Sequence, residues 1–254
     1  MITSQNHLIM NRKKLYIIFL LTALVISSCK KDDSPTPNSL TVLTGINLAV
    51  NYTIDGKALY VDSFLYTSAA GFNYSINRFQ YYLTNVKLIK PDNAEILITS
   101  SHYFDAFEEA TSTIAISNIP SGNYIGIKFN IGVDSSFNYW DSLPNTTENT
   151  NMLWPLLMGG GYHFLKFEGY YKDGLSDYGY AMHLGTNACN IPVVLSKNIS
   201  VTPNNTLTLN MNMNINEWLK NPNTFDFNLD GNYIMGNAAA MGKITQNGHD
   251  VFSF

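Results

Sequence analysis

The chain has 254 residues, 15 basic and 19 acidic side chains, and two cysteines. Residues 1–28 read as a leader holding three of the basic residues, and without it the net charge is −7, which excludes nucleic acid as a natural partner. With Cys29 lipidated, Cys189 is the only thiol left, so no intrachain disulfide forms and stability rests on an apolar core, for which roughly 210 residues suffice.

Arg12, Lys13 and Lys14 precede the apolar run LYIIFLLTALVI, and VISSC follows. The run is too short to cross a bilayer, and small residues before a cysteine are the pattern of a bacterial lipoprotein signal. The reading is a signal peptide over 1–28, lipidation at Cys29, a flexible tether over 29–40 built on KKDDSPTPNS, and one domain over 41–254. The membrane is then engaged only through the N-terminal lipid. That places the protein in a bacterial cell envelope, anchored to the outer membrane and facing the periplasm or the exterior.

Alternating apolar residues in INLAVNYTID put Ile46, Leu48, Val50, Tyr52 and Ile54 on one face of a strand. FQYYLTNVKLI, EILIT, NYIGIKFNIGV, HFLKFEGYY, TLTLNMNMNI and DVFSF continue the pattern. Turn signals at Asp55, Pro91, Pro120 and Lys172 separate them closely enough for antiparallel hairpins. Helix is expected only at INEWLK, stopped by Pro222, and from Asn237 to Gln246, closed by Asn247 and Gly248. The fold class is all-β, an antiparallel sandwich or barrel-like domain with long loops and one or two short helices. The long stretch from Asp134 to Gly161 carries Trp140 and Trp154 and is either a functional loop or an aromatic cap.

His163 and His183 flank the turn-rich KDGLSDYG. If HFLKFEGYY and YGYAMHLG form a hairpin with its midpoint near Asp173, paired residue numbers sum to 346 and the two imidazoles share a face about 5 Å apart. A register shifted by one separates them. Met152, Met158 and Trp154 lie nearby in sequence, and imidazole with thioether favours copper, Cu(I) above all. Met182 is expected on the face opposite His183, and Gly159, Gly160 and Gly161 allow a sharp bend before His163. Methionine is also an ordinary core filler. His102 reads as a solvated or core-satisfied imidazole and His249 as a complement to a helix C-terminus. Glu168 reads as a surface or ion-pair residue on the face opposite His163.

NRFQYYLTNVKL, NIPSGNYIGIKFNIGVD, MLWPLLMGGGYHFLKFEG, YAMHLG and NGHDVFSF, in that order, resemble the MbnP-like (MbnP/MopE-like) family of secreted copper-binding proteins. The resemblance runs from about Ile46 to Phe254. It implies an extracytoplasmic β-rich copper binder with His163 and His183 at the family's histidine positions and Trp154 at its tryptophan. In some members that tryptophan is oxidised to kynurenine by a di-haem peroxidase-like partner, with a Trp-x-His spacing absent here. HLGTNAC offers Cys189 alone where relatives often carry a second cysteine, so Cys189 is either a small buried residue or a thiolate near the metal.

DFNLDGN opens like a calcium loop but reaches Asn237 at the twelfth position, where a bidentate glutamate belongs, so an Asx-stabilised turn is the better reading and calcium is not expected. No G-x-S-x-G, H-E-x-x-H, P-loop or C-x-x-C occurs, and the expected role is not enzymatic. Two functions remain: a lipid-anchored protein that captures, stores or hands over copper, and a surface-exposed module that binds glycan or protein through Tyr139, Trp140 and Trp154.

Overall fold

The computed structural model describes residues 44–254; the expected signal, Cys29 and tether lie outside the described residues. The strands are β1 (Gly45–Ile54), β2 (Lys57–Ala58), β3 (Tyr66–Thr67), β4 (Asn73–Ile89), β5 (Glu95–Asp105), β6 (Thr113–Ile116), β7 (Gly122–Ile131), β8 (Leu165–Asp173), β9 (Ser176–Leu184), β10 (Ile191–Val201), β11 (Thr206–Asn214) and β12 (Phe252–Ser253). The α-helices are α1 (Thr147–Asn151) and α2 (Ala238–Asn247). One sheet runs β12-β11-β1-β2 with β6 also on β1; the other runs β10-β7-β4-β8-β9 with β3 and β5 also on β4. The fold is a β-sandwich, as the alternation of apolar residues requires once each sheet buries one face.

Cross-sheet aromatic contacts hold the layers together. Tyr52 of β1 meets Phe79 and Tyr81 of β4 edge-on, and its hydroxyl lies 2.9 Å from that of Tyr81. Phe252 of β12 packs on Phe129 of β7 and on Tyr81. Ile46, Leu48, Val50 and Ile54 are buried on the inner face of β1, as their alternation predicts, while Tyr52 is partly buried and packs against the core.

Two expectations need correction. Between the named strands of the described residues, pairing is antiparallel except between β1 and β11, which run parallel from Gly45↔Thr206 to Thr53↔Asn214. These strands are far apart in sequence, so no turn signal between them specifies direction. INEWLK does not form an α-helix: Ile215–Leu219 is a 3-10 turn whose Ile215, Asn216, Trp218 and Leu219 are all buried. With so many of five residues facing inward, there is no polar face for a surface α-helix. The other helix forms as expected, with Asn237 accepting from the Ala240 N–H as N-cap and Gly248 as C-cap.

β4 organises the second sheet. It pairs with β8 over Tyr74–Tyr81 and with β7 over Leu83–Ile89, while β5 covers its opposite edge. β8 and β7 therefore meet end to end along one edge of β4, near Tyr82, whose N–H donates to the Phe164 carbonyl and whose carbonyl accepts from the Gly132 N–H. The segment just before β8 emerges at this junction.

Phe79 is fully buried against Tyr52, Tyr81, Phe167 and Trp218. Phe79→Ala should cost about 3–5 kcal/mol in a denaturant titration, whereas Leu175→Ala, at a fully exposed hairpin tip, should leave the midpoint within about 0.5 kcal/mol of wild type.

Candidate metal centre

Gly159, Gly160 and Gly161 adopt φ of +107°, +70° and +84°, a left-handed run that side-chain-bearing residues resist. A Cβ on Gly161 would also collide with the Asn138 side chain, whose Oδ1 accepts from the Tyr162 N–H at 3.0 Å. This reversal follows the 3-10 turn Leu156–Met158 and lays residues 161–163 antiparallel to 152–154. Leu153 bridges Tyr162, the Trp154 N–H donates to the Gly161 carbonyl at 2.9 Å, and the His163 N–H donates to the Met152 carbonyl at 2.6 Å. The three glycines beside His163 in the sequence are thus what folds the preceding loop back onto it.

His183 lies on β9, but its partner on β8 is Lys166, not His163. Paired numbers sum to 349, because the hairpin closes through Gly174 and Leu175 between Asp173 and Ser176, with Gly174 at φ +60°. The expected register of 346 is therefore wrong by an odd number of residues, which on a regular strand would send the histidines to opposite faces. They converge nonetheless, since β8 begins only at Leu165 and His163 belongs to the bend that pairs with 152–154. The ring centroids are 4.9 Å apart and the planes perpendicular.

Each ring is held by one nitrogen. His163 Nδ1 lies 3.2 Å from the Met152 carbonyl oxygen, an atom that only accepts, so Nδ1 carries the proton. His163 is 6% exposed; burial, then the Lys166 ammonium and His183, push its pKa down to about 3, which keeps the ring neutral with its lone pair on Nε2. His183 Nε2 lies 2.8 Å from Glu168 Oε1. Burial raises the Glu168 pKa, but hydrogen bonds from His183 and Arg78 outweigh it and hold the carboxyl at about 2. Glu168 thus accepts from Nε2 and leaves Nδ1 of His183 uncommitted. It is an ion-pair residue, as expected, but it shares the His183 side of the sheet. Strand parity does not relate it to His163, which lies ahead of β8.

The other candidates divide. Trp154 is buried with its ring centroid 4.8 Å from that of His163, and its Nε1 donates to the Met158 carbonyl at 3.1 Å. The indole lies against Gly185, where any Cβ would overlap the six-membered ring, so the glycine of AMHLG is a packing requirement. Met152 is fully buried and reaches His163 through its backbone carbonyl. Met158 lines a cavity with Trp154, Cys189 and Met241 that neither histidine lines. Met182 is fully buried opposite Phe167, away from the His183 face, as expected. Among the described residues, no three His, Cys, Asp or Glu side chains converge on one point.

His102 is satisfied by the Thr111 carbonyl at 3.1 Å and packs on Phe104, as its strand position suggested. His249 does not serve the helix end with its ring, which instead meets the Pro192 carbonyl of β10 at 3.2 Å. In DFNLDGN, Asp226 Oδ1 accepts from the Asn228 and Leu229 N–H groups, and Asp230 pairs with Lys243, so these carboxylates build an Asx turn and an ion pair. Tyr139 and Trp140 are exposed, but Trp154 is not, which removes it from any stacking surface.

The MbnP family model matches residues 44–236. The chain belongs to the MbnP family. The solved structure of MbnP from Methylosinus trichosporium is similar at 13% identity and a TM-score of 0.48, covering 67% of this chain and 75% of that one. No curated protein matches the sequence. In this MbnP-family chain the match includes both histidines, Trp154 and the glycine run, and ends ahead of α2.

Because the His163 pKa is lowered on folding, its contribution is fully present above its unfolded value of about 6.5 and is lost as pH falls toward about 3. Wild-type unfolding free energy should fall by up to about 1.4 kcal/mol per pH unit more steeply than that of His163→Gln below about pH 6.5. Denaturant midpoints collected over that range check this; parallel pH profiles would contradict it.

Proposed function

We propose that this MbnP-family chain is a copper-binding protein of the cell envelope, lipid-anchored at Cys29, that captures, stores or hands over the ion and performs no catalysis. The observation that carries this reading is the pair of imidazoles at 4.9 Å, each fixed through one nitrogen by an outer acceptor, Met152 carbonyl or Glu168 carboxylate. Metal-binding histidines are typically oriented in this way, with the second nitrogen left for the ion. His163 Nε2 and His183 Nδ1 are the donors, and Trp154 shields the His163 side from water.

The surrounding charge selects the ion. Lys166 sits opposite His183 in the ladder and Arg78 binds Glu168, so two cations face one carboxylate. That balance disfavours a dication, and no cluster of three or more His, Cys, Asp or Glu side chains is present among the described residues to suit calcium. A monovalent soft ion held between the two imidazoles fits, which is Cu(I). A second reading, a glycan-binding module, is supported by a cleft of about 240 Å³ lined by exposed Trp140 with Asp141, Asn145, Asn149 and Tyr162. Under it, Trp140→Ala weakens ligand binding while the histidine variants do not.

Purified protein loaded with Cu(I) and dialysed should retain tightly bound copper, and His163→Ala combined with His183→Ala should abolish retention at the imidazole pair. Glu168→Gln, which touches no ion directly, should weaken copper affinity about 10–100-fold through the freed His183 ring. Competition with a chromophoric Cu(I) chelator reads both. With Cys189→Ser as the common background, so that the one thiol of the domain does not contribute, unchanged affinity in the double-histidine variant would overturn the assignment.

A further inference from the structure

Beyond the indole of Trp154 lies a second cluster of soft donors. Cys189, Met158 and Met241 line one cavity of about 220 Å³ together with Trp154, Thr186, Ala188, Gly236, Ala238 and Gly242. These residues come from three separate places: the turn following Pro155, the 3-10 turn Asn187–Cys189 after β9, and the first turn of α2. Cysteine and methionine in a core normally fill space. Here they border space instead, because the intervening wall is glycine and alanine.

The cavity has an entry and its sulfur has a hydroxyl beside it. Ala188, Gly236 and Ala238 are exposed at its rim and Met158 is partly exposed, whereas Cys189 and Met241 are buried at its base. Cys189 is a free thiol, and Thr186 Oγ1 lies 3.6 Å from Sγ, placed to donate a hydrogen bond once the sulfur is a thiolate. The Met158 methyl end reaches to within 3.3 Å of where a Cβ on Gly236 would sit, so a larger residue at 236 would crowd the thioether. One thiol and two thioethers form a donor set that suits a soft monovalent metal and offers nothing to calcium, magnesium or an anion.

We propose that this cavity is a second metal site, distinct from the imidazole pair, which takes a soft monovalent ion of the Cu(I) class through Cys189 Sγ with Met158 and Met241 thioethers. Binding exchanges the thiol proton for the metal: the S–H bond breaks, the proton leaves to solvent, and the sulfur lone pair forms the bond to the ion without any change of oxidation state. Trp154 then adjoins both metal sites, packing against the His163 ring and lining the sulfur cavity.

The proposal is independent of the imidazole site, and silver(I), which is redox-inert, separates the two. Full-length His163→Ala/His183→Ala protein, titrated with silver nitrate and measured by native mass spectrometry, should retain one silver ion per chain and protect Cys189 from alkylation. Cys189→Ser in that background should lose the ion. Met158→Leu/Met241→Leu, made in the otherwise wild-type chain so that folding of the histidine variant is not at issue, should weaken thiol protection by silver at least about tenfold. Silver bound as tightly after Cys189→Ser, or thiol protection unchanged by the methionine substitutions, would overturn the second site, the latter by showing a lone thiol at work. Neither result bears on copper at the histidines.

Discussion

The imidazole pair depends on two hydrogen bonds into one carbonyl. Met152 O accepts from both the backbone N–H and Nδ1 of His163, and this double hold exists only because residues 161–163 lie against 152–154. The glycine run at positive φ makes that alignment available, since three consecutive left-handed residues with side chains would each cost on the order of 1 kcal/mol or more. Without it His163 would continue the ladder of β8, and the odd register would turn its ring away from His183. The backbone accordingly determines both where the ring sits and which of its nitrogens carries the proton.

Partner segments supply complementary restraints. β9 holds His183 opposite Lys166, and Glu168 on the neighbouring strand fixes its Nε2. Gly185 allows the indole of Trp154 to pack closely against the chain just past His183. Burial then excludes charge from His163 while the Arg78–Glu168 pair keeps a carboxylate ionised next to His183. The two rings are thus held in different environments, one dry and backbone-bound, the other half-buried and carboxylate-bound. In both, one ring nitrogen is engaged by an acceptor and the other is not.

Much of the architecture could be read from the sequence. Alternation in INLAVNYTID and FQYYLTNVKLI marks inner faces that the structure buries, and Asn237 with Gly248 marks the limits of α2. The parallel β1–β11 pair was not legible, because parallel partners have no connecting turn to announce them. At the candidate site, the structure brings the two histidine rings together, but by a different route from the one the hairpin register predicts. A turn centred on Asp173 is what the sequence suggests, whereas the hairpin closes through Gly174 and Leu175, and strand parity does not extend to His163 because it lies in a bend. The same parity count places Glu168 opposite His163 and so outside the site, whereas it shares the His183 face. Met158 was grouped with the histidines by sequence proximity, whereas the reversal at Gly159 carries it to the sulfur cavity.

X-ray absorption at the copper edge of the Cu(I)-loaded protein tests the central claim most directly, because scattering from rigid imidazole rings is distinguishable from that of sulfur or lone oxygen ligands. Carried out on Cys189→Ser protein, so that the sulfur cavity does not contribute, the spectrum should show imidazole scattering that is diminished when His183→Ala is added. A copper shell without imidazole, or one indifferent to that substitution, would contradict the account.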